Sequence, residues 1–293
     1  MSFTKFILKF FHKSPFFYRS FPTPVPWTEL TFEIDETTQT NINQAKQLYT
    51  KTFDDLDVSA EILYSVGKTF FKNNKLSPDS VVQLAIQAAW QNVTDTTCPV
   101  YQSASTSGFK HGRTENLRAC TNESVRAARM VSDKVGVFSD AEIIAAIRES
   151  GTKHNGLKGE AVMGQGFDRH IFGMCARANE HGLEVPEIFS NDVNKYMNHF
   201  NLSTSTLDTP NFISGGFGAV VPDGLGVGYA AQADYMACAI TARKSTMKCS
   251  PSDFTAAFDE SLGKIRDVFD RSNQAKAYFA GERNFVIDNK GGK

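Results

Sequence analysis

The sequence predicts an α/β fold, a mixed sheet covered by helices, and three observations carry that expectation. Short runs rich in strand-forming residues are interleaved with long helical periods along the chain. Three or four of those runs crowd between residues 200 and 241, and a helical period follows over 251–272. Finally, 41% of the 293 residues are hydrophobic, enough apolar surface to enclose one large core or two ordinary ones.

Taken in order, the proline-rich "FPTPVPW" precedes "LTFEI", residues 30–34, which alternates like a strand. Asp35 then opens a helical pattern from about residue 36 to 73. Ser77 as N-cap and Pro78 at the first helical position restart a helix that continues through "VVQLAIQAAWQNV". "PVYQSAS" reads as a strand and "RTENLRAC" as a further short strand or loop. Helices follow near 121–132 and 139–150, with a third across "GEAVMGQGFDRHIFGMCARANEHG", residues 159–182. "FNLSTST", "FISGGFGAVV", "GVGYAAQ" and "YMACAITA" then read as strands, with Asp223-Gly224 as a tight-turn signal between the second and third. The helix over 251–272 closes the pattern, and residues 276–293 read as a disordered tail.

Composition excludes several function classes. Lys and Arg number 31 against 32 Asp and Glu, so the whole chain has no strong field for nucleic acid or an anionic membrane. The five cysteines are scattered, with no C-x-x-C pair and no histidine spaced to complete a zinc site, as expected of free thiols in a reducing compartment. No apolar run approaches the roughly 18 residues of a membrane-spanning helix. Residues 1–28 stand apart, since they contain Lys5, Lys9, Lys13 and Arg19 and no acid. Such a start fits a mitochondrial presequence, and equally a disordered leader or a misassigned start. The fold is therefore expected over residues 29–275.

Chemistry is concentrated in a few places. In "NLSTSTL" a period of two sets Ser203 and Ser205 on one face with Asn201, and Phe200, Leu202 and Thr204 on the other. In "YQSAS" the same rule groups Tyr101, Ser103 and Ser105, so two neighbouring strands would line one polar cleft. These hydroxyls by themselves also fit an exposed sheet surface. The helix carrying "GQGFDRH" would place Gln165 and Arg169 on one side, where Arg169 presents a planar fork to a carboxylate or pairs with Asp168. In "GKTFFKNNKLSPD", Lys68, Lys72 and Lys75 recur at helical spacing near a helix C-terminus, just before the next helix begins. That is a place for phosphates, or simply a solvated basic face. None of the six histidines is followed by Asp four residues later.

Taken together, "KNNKLSPD", "YQSASTSGFKHGRTE", "MGQGFDRHIFG" and "LSTSTLDTPNFISGGFGAVVPDGLGVGY" resemble the carnitine/choline acyltransferase family over about residues 25–272. The resemblance implies a coenzyme A-dependent acyltransferase-like lobe. It implies acyl transfer between a long-chain, palmitoyl-type acyl-coenzyme A and carnitine, both as substrates, with no cofactor. Ser205 would donate to the oxyanion formed when the carnitine hydroxyl attacks the thioester, and Ser203 would support carnitine. Tyr101, Ser103 and Thr114 would bind the carnitine carboxylate, with Arg169 supplying its positive charge. The stretch from Gly67 to Asp79 would hold coenzyme A through Lys68, Lys72 and Lys75.

The likeness covers only the carboxyl-terminal half of a family member about twice as long, and the other half carries the family's His-x-x-x-Asp base. Two readings stay open. One is an acyltransferase represented by its binding lobe, the other a half-length ligand-binding or interaction protein without the chemistry. On the same resemblance, Gly215 and Gly216 would stand where a large side chain could block a long acyl tail, which favours long chains. The ending "DNKGGK" is not a peroxisomal Ser-Lys-Leu address, and the basic leader points to mitochondria, on the inner membrane or matrix side. Peripheral membrane association would come through a missing or partner lobe.

Overall fold

A computed structural model describes residues 28–133, 135–206 and 215–288, with side chains to residue 275. The basic leader up to residue 27, the start of the "FISGGFGAVV" run and the end from 289 lie outside the described residues. The chain divides into two compact units, residues 1–56 and 57–293.

Of the first unit, the main described element is α1 (Glu36–Asp55), entered through Asp35, whose carboxylate accepts from the Thr38 amide at 2.7 Å. "LTFEI" is not a strand. Among the described residues it has no ladder partner, and Leu30 and Phe32 stand 76% and 78% exposed.

The second unit is built on a mixed sheet of six described strands. These are β1 (Leu56–Leu63), β2 (Val100–Ser105), β3 (Thr114–Arg118), β4 (Leu202–Thr206), β5 (Leu225–Ala231) and β6 (Met236–Arg243), in the order β1-β6-β5-β4-β2-β3. β4 runs parallel to β2 and β5, while β2–β3 and β5–β6 are antiparallel. The expected helix over 36–73 is broken because "LDVSAEIL" leaves it to pair beside β6, an instance of tertiary pairing overriding local period. Only α2 (Lys68–Asn73) becomes helical again. Gly67 caps it where a Cβ would lie 2.3 Å from the Ala233 carbonyl oxygen, so only glycine lets the backbone pass there.

Helix α3 (Pro78–Thr94) begins where Ser77 and Pro78 indicate, although the Ser77 side chain makes no capping bond. It is buried on every side from Ser80 to Trp90. Capping boxes at Thr121 and Ser139 start α4 (Asn122–Ser132) and α5 (Asp140–Val162). The single helix expected over 159–182 is instead the end of α5 and a separate α6 (Asp168–Glu180). Gly164, at φ +74°, marks the break. A short 3₁₀ turn (Glu187–Phe189) and α7 (Asp192–Met197) lead into β4. Helix α8 (Pro251–Asp288) closes the described chain and runs beyond residue 276, where a tail was expected.

Residues 215–221 do not form a strand. Their backbone crosses the face of β5 and β6, and a Cβ on Gly228 would lie 2.0 Å from the Gly215 carbonyl oxygen. On the opposite face Val100, Leu202, Val227, Met236 and Ile240 pack into one core with Trp90, Phe254, Phe258 and Leu262. Each such side chain contributes about 1.5–3 kcal/mol by leaving water. No cysteine is bonded to another, and burial pushes the Cys238 thiol up to about 12, as for an inert core residue.

Candidate functional site

Register brings the expected hydroxyls together. Tyr101 stands opposite Arg118 on β3 and Ser203 on β4, Ser103 opposite Asn116, and Ser105 opposite Thr114. Ser203 and Ser205 in turn stand opposite Gly226 and Gly228 on β5. Strand alternation therefore places Tyr101, Ser103, Thr114, Ser203 and Ser205 on the face away from the core. Ser203 is only 3% exposed, Tyr101, Ser103 and Ser205 are half-buried, and Thr114 is exposed. Among the described residues, the hydroxyls of Ser103, Thr114, Ser203 and Ser205 donate to no protein group. Phe200, which precedes β4, does not follow the alternation and packs edge-on against the Tyr101 ring at 5.6 Å.

Arg169 closes one end of this face. Its Nη2 donates to the Tyr101 hydroxyl at 2.8 Å, and its guanidinium lies 5.8 Å from the centre of the Tyr101 ring. Asp168 is not its partner. That carboxylate is held by Arg118, through Nε at 3.0 Å and Nη2 at 2.6 Å, and by Asn116 Nδ2 at 3.0 Å. Arg118 also donates to the Met197 carbonyl and the Asn198 side chain, and it stacks 5.2 Å over Phe200. The Arg169 amide donates to Glu115 Oε1 at 3.2 Å, and Gly166 passes Glu115 where a Cβ would lie 2.2 Å from its Cγ. Gln165 lies in the break before α6, so the expected Gln165–Arg169 helical pair does not form. Among the described residues the Arg169 guanidinium has no carboxylate partner.

The lysines are arranged differently from the expected stripe. Lys68 opens α2, Lys72 falls in its last turn, and Lys75 lies beyond the helix at φ +57°. Lys72 and Lys75 are exposed. Gly67 is fixed by the close approach of Ala233, and the Lys68 and Thr69 amides donate to the Gln232 and Ala233 carbonyls at 2.7 and 2.9 Å. Asp79 is not brought to these lysines. It is turned under the sheet, where Gln102, Tyr229 and Lys158 bond its oxygens. Burial disfavours its charge, but the bond from Lys158 and its positive charge outweigh burial, and the carboxyl is held below its ordinary value.

One histidine has an aspartate partner that spacing could not reveal. His199 Nε2 lies 2.6 Å from Asp223 Oδ1, and Asp223 also accepts from Lys248 at 2.9 Å and Asn201 Nδ2 at 3.1 Å. Burial opposes the Asp223 charge, yet the bonds from Lys248 and His199 hold its carboxyl down to about 2. Sequence reasoning also missed Arg118 and Glu115. The alternation of "TENLR" could have placed Arg118 beside Tyr101, but nothing local marks Glu115 as the acceptor for the Arg169 amide. Among the described residues no group of His, Cys, Asp or Glu side chains is placed to hold a metal ion, and no helix is long and apolar enough to cross a membrane.

The family model described as Choline/Carnitine o-acyltransferase matches residues 1–262. Carnitine O-palmitoyltransferase 2, mitochondrial, of Bos taurus is 35% identical over 242 residues, which cover 81% of this chain and 37% of that protein. Its Mus musculus counterpart is 37% identical over 213 residues, 73% of this chain and 32% of the relative. Carnitine O-acetyltransferase of Homo sapiens is 29% identical over 255 residues, 87% and 40% respectively. In these alignments the chain spans two-fifths or less of each relative.

Proposed function

Because the chain belongs to the choline/carnitine O-acyltransferase family, we propose that it supplies the carnitine- and coenzyme A-binding lobe for acyl transfer between a long-chain acyl-coenzyme A and carnitine. The observation that carries this reading is Arg169, a guanidinium without a carboxylate partner among the described residues, standing at the end of a row of uncommitted hydroxyls.

Carnitine presents a carboxylate and a hydroxyl a few bonds apart. Its carboxylate suits the Arg169 fork, with Tyr101, Ser103 and Thr114 as further donors. Its hydroxyl then lies toward Ser203 and Ser205. As the hydroxyl oxygen bonds to the thioester carbon, negative charge gathers on the carbonyl oxygen, and the Ser205 hydroxyl is the donor aimed at it. Donors of this kind supply about 2.7–4 kcal/mol of transition-state stabilisation. Collapse breaks the carbon–sulfur bond and releases coenzyme A. The carnitine hydroxyl proton passes to a general base supplied from outside this chain. Lys68, Lys72 and Lys75 reach the coenzyme A phosphates, and the lack of side chains at Gly215 and Gly216 supports room for a palmitoyl-length tail.

The names of the palmitoyltransferase relatives support a mitochondrial location, as does the basic leader, and we place the chain on the inner membrane or matrix side as part of this reading. A second reading, a binding protein without the chemistry, is favoured by the sequence, in which none of the six histidines is followed by Asp four residues later. Calorimetric titration of the chain with carnitine and with coenzyme A tests the site, and a transfer assay distinguishes the two readings. Saturable binding of both ligands supports the lobe, and a folded chain that binds neither refutes it.

A further inference from the structure

Beneath the hydroxyl face, on the side that packs against the helices, lies a polar cluster that the proposed reaction does not use. Asp79, in the first turn of α3, accepts from Gln102 Nε2 on β2 at 3.1 and 3.0 Å. It also accepts from the Tyr229 hydroxyl on β5 and Lys158 Nζ on α5, each at 2.7 Å. Because Gln102 Nε2 is committed to Asp79, its Oε1 faces His154, and the 2.8 Å contact makes His154 Nε2 the donor. Gln83 Nε2 donates to the Thr204 hydroxyl at 2.9 Å and to the Tyr229 oxygen at 3.0 Å. The Thr204 hydroxyl donates in turn to the Tyr101 carbonyl at 2.8 Å. His154, Gln102 and Thr204 are 6%, 4% and 0% exposed.

These bonds meet at a short ladder of the sheet. β2 and β4 share three Cα pairs, Val100–Leu202, Tyr101–Ser203 and Gln102–Thr204, whereas β4–β5 shares five. A slip of β2 by one residue at so short a ladder would turn Tyr101 and Ser103 to the core and take their hydroxyls off the Ser203 face. We propose that Asp79, Gln102 and His154 are positioning residues that pin β2 against β4 and so hold Tyr101 opposite Ser203. The proposal rests on reading the face above as the carnitine site. It also gives Asp79 an occupation other than coenzyme A.

The pin is open to protons. His154 Nδ1 is buried without a partner among the described residues, so a proton there would find no acceptor. The groups facing His154 are Asp79 from α3, Lys158 and Asn155 from its own helix, Gln102 from β2 and, through Asp79, Tyr229 from β5. Lys158 lies within the same charge cluster, so a second cation adds repulsion.

Variants of the full chain decide the matter. His154→Leu removes the donor to Gln102 and should weaken carnitine about tenfold while changing coenzyme A affinity less than about twofold, the effect of one buried hydrogen bond. His154→Gln restores a donor and should recover most of the loss. Wild-type carnitine affinity should hold above about pH 6.5 and fall as the pH drops below it, and that decline should flatten in His154→Gln. Equal loss of both ligands in step with melting temperature would overturn the proposal. Hydrogen exchange distinguishes its failure from failure of the carnitine reading. Protection lost first at residues 100–105 and 202–206 in His154→Leu supports the pin even if carnitine never binds, and uniform loss across the sheet overturns it.

Discussion

Arg169 donates to the Tyr101 hydroxyl at 2.8 Å while its neighbour Asp168 turns to Arg118. Two adjacent residues of opposite charge are thus separated by function. One is consumed in building the corner, and the other is left facing the cleft.

Replacing Arg169 should therefore affect ligand rather than fold. Arg169→Ala removes a charge-assisted contact of about 1.5–3 kcal/mol, so the carnitine dissociation constant rises more than about tenfold. Coenzyme A binding and the melting temperature hardly move. Arg169→Lys recovers only part, because it loses the planar fork. Calorimetry and thermal melts on the same samples check this, and an early melt with normal carnitine binding would sink the assignment.

Arg118 should behave otherwise. It is partly buried, and Arg118→Met leaves Asp168 with Asn116 as its remaining side-chain partner. A loss of about 1–3 kcal/mol is expected, lowering the melting temperature by about 2–4 °C per kcal/mol. Carnitine affinity falls with it because Arg169 loses its anchor. A melting temperature equal to wild type would show that the pair does not hold the corner.

How far the sequence alone disclosed this arrangement varies from element to element. Period two placed Ser203 with Ser205 and Tyr101 with Ser103 correctly, because side-chain alternation is a property of the strand itself. The helical period over 36–73 misled at "LDVSAEIL", where pairing beside β6 decides. "FISGGFGAVV" read as a strand, yet residues 215–221 cross the sheet face instead. The Asp79 network was invisible because its members are scattered from residue 79 to 229, and only the fold makes them neighbours.

The crossing at residues 215–218 makes two glycines sharply different. Gly228→Ala drives a Cβ to 2.0 Å from the Gly215 carbonyl oxygen, whereas a Cβ at Gly108 meets nothing within 4 Å. The first should destabilise by about 1–3 kcal/mol through overpacking, and Gly108→Ala should change stability by less than about 0.5 kcal/mol. Chemical denaturation of both variants measures the difference, and equal midpoints would contradict it.

Acid should weaken the fold through His154. Burial lowers its pKa below the ordinary 6.5, only partly offset by Asp79. The unfolded chain then binds the proton more readily than the folded one. The stabilisation is fully present above about pH 6.5 and is lost as pH falls through the folded value. Melting temperature against pH should decline below about pH 6.5 in the wild type and less steeply in His154→Gln. Parallel curves would remove His154 from the account.

Lys72 should show a bias opposite to that of Arg169. It is exposed in the last turn of α2, so Lys72→Ala should weaken coenzyme A by a few-fold and leave carnitine unchanged. The difference should shrink at high salt. A salt-independent effect, or an equal loss of carnitine, would rule out a phosphate contact.

The enclosure of α3 has a consequence for how the chain is made. Trp90 and its neighbours are sealed by Phe254, Phe258 and Leu262, which leave the ribosome roughly 160 residues later. At about 5–20 residues per second, that surface stays uncovered for on the order of ten to thirty seconds of synthesis. The nascent chain cannot seal this core piecemeal from its amino end. Its apolar surface stays open to water until α8 arrives.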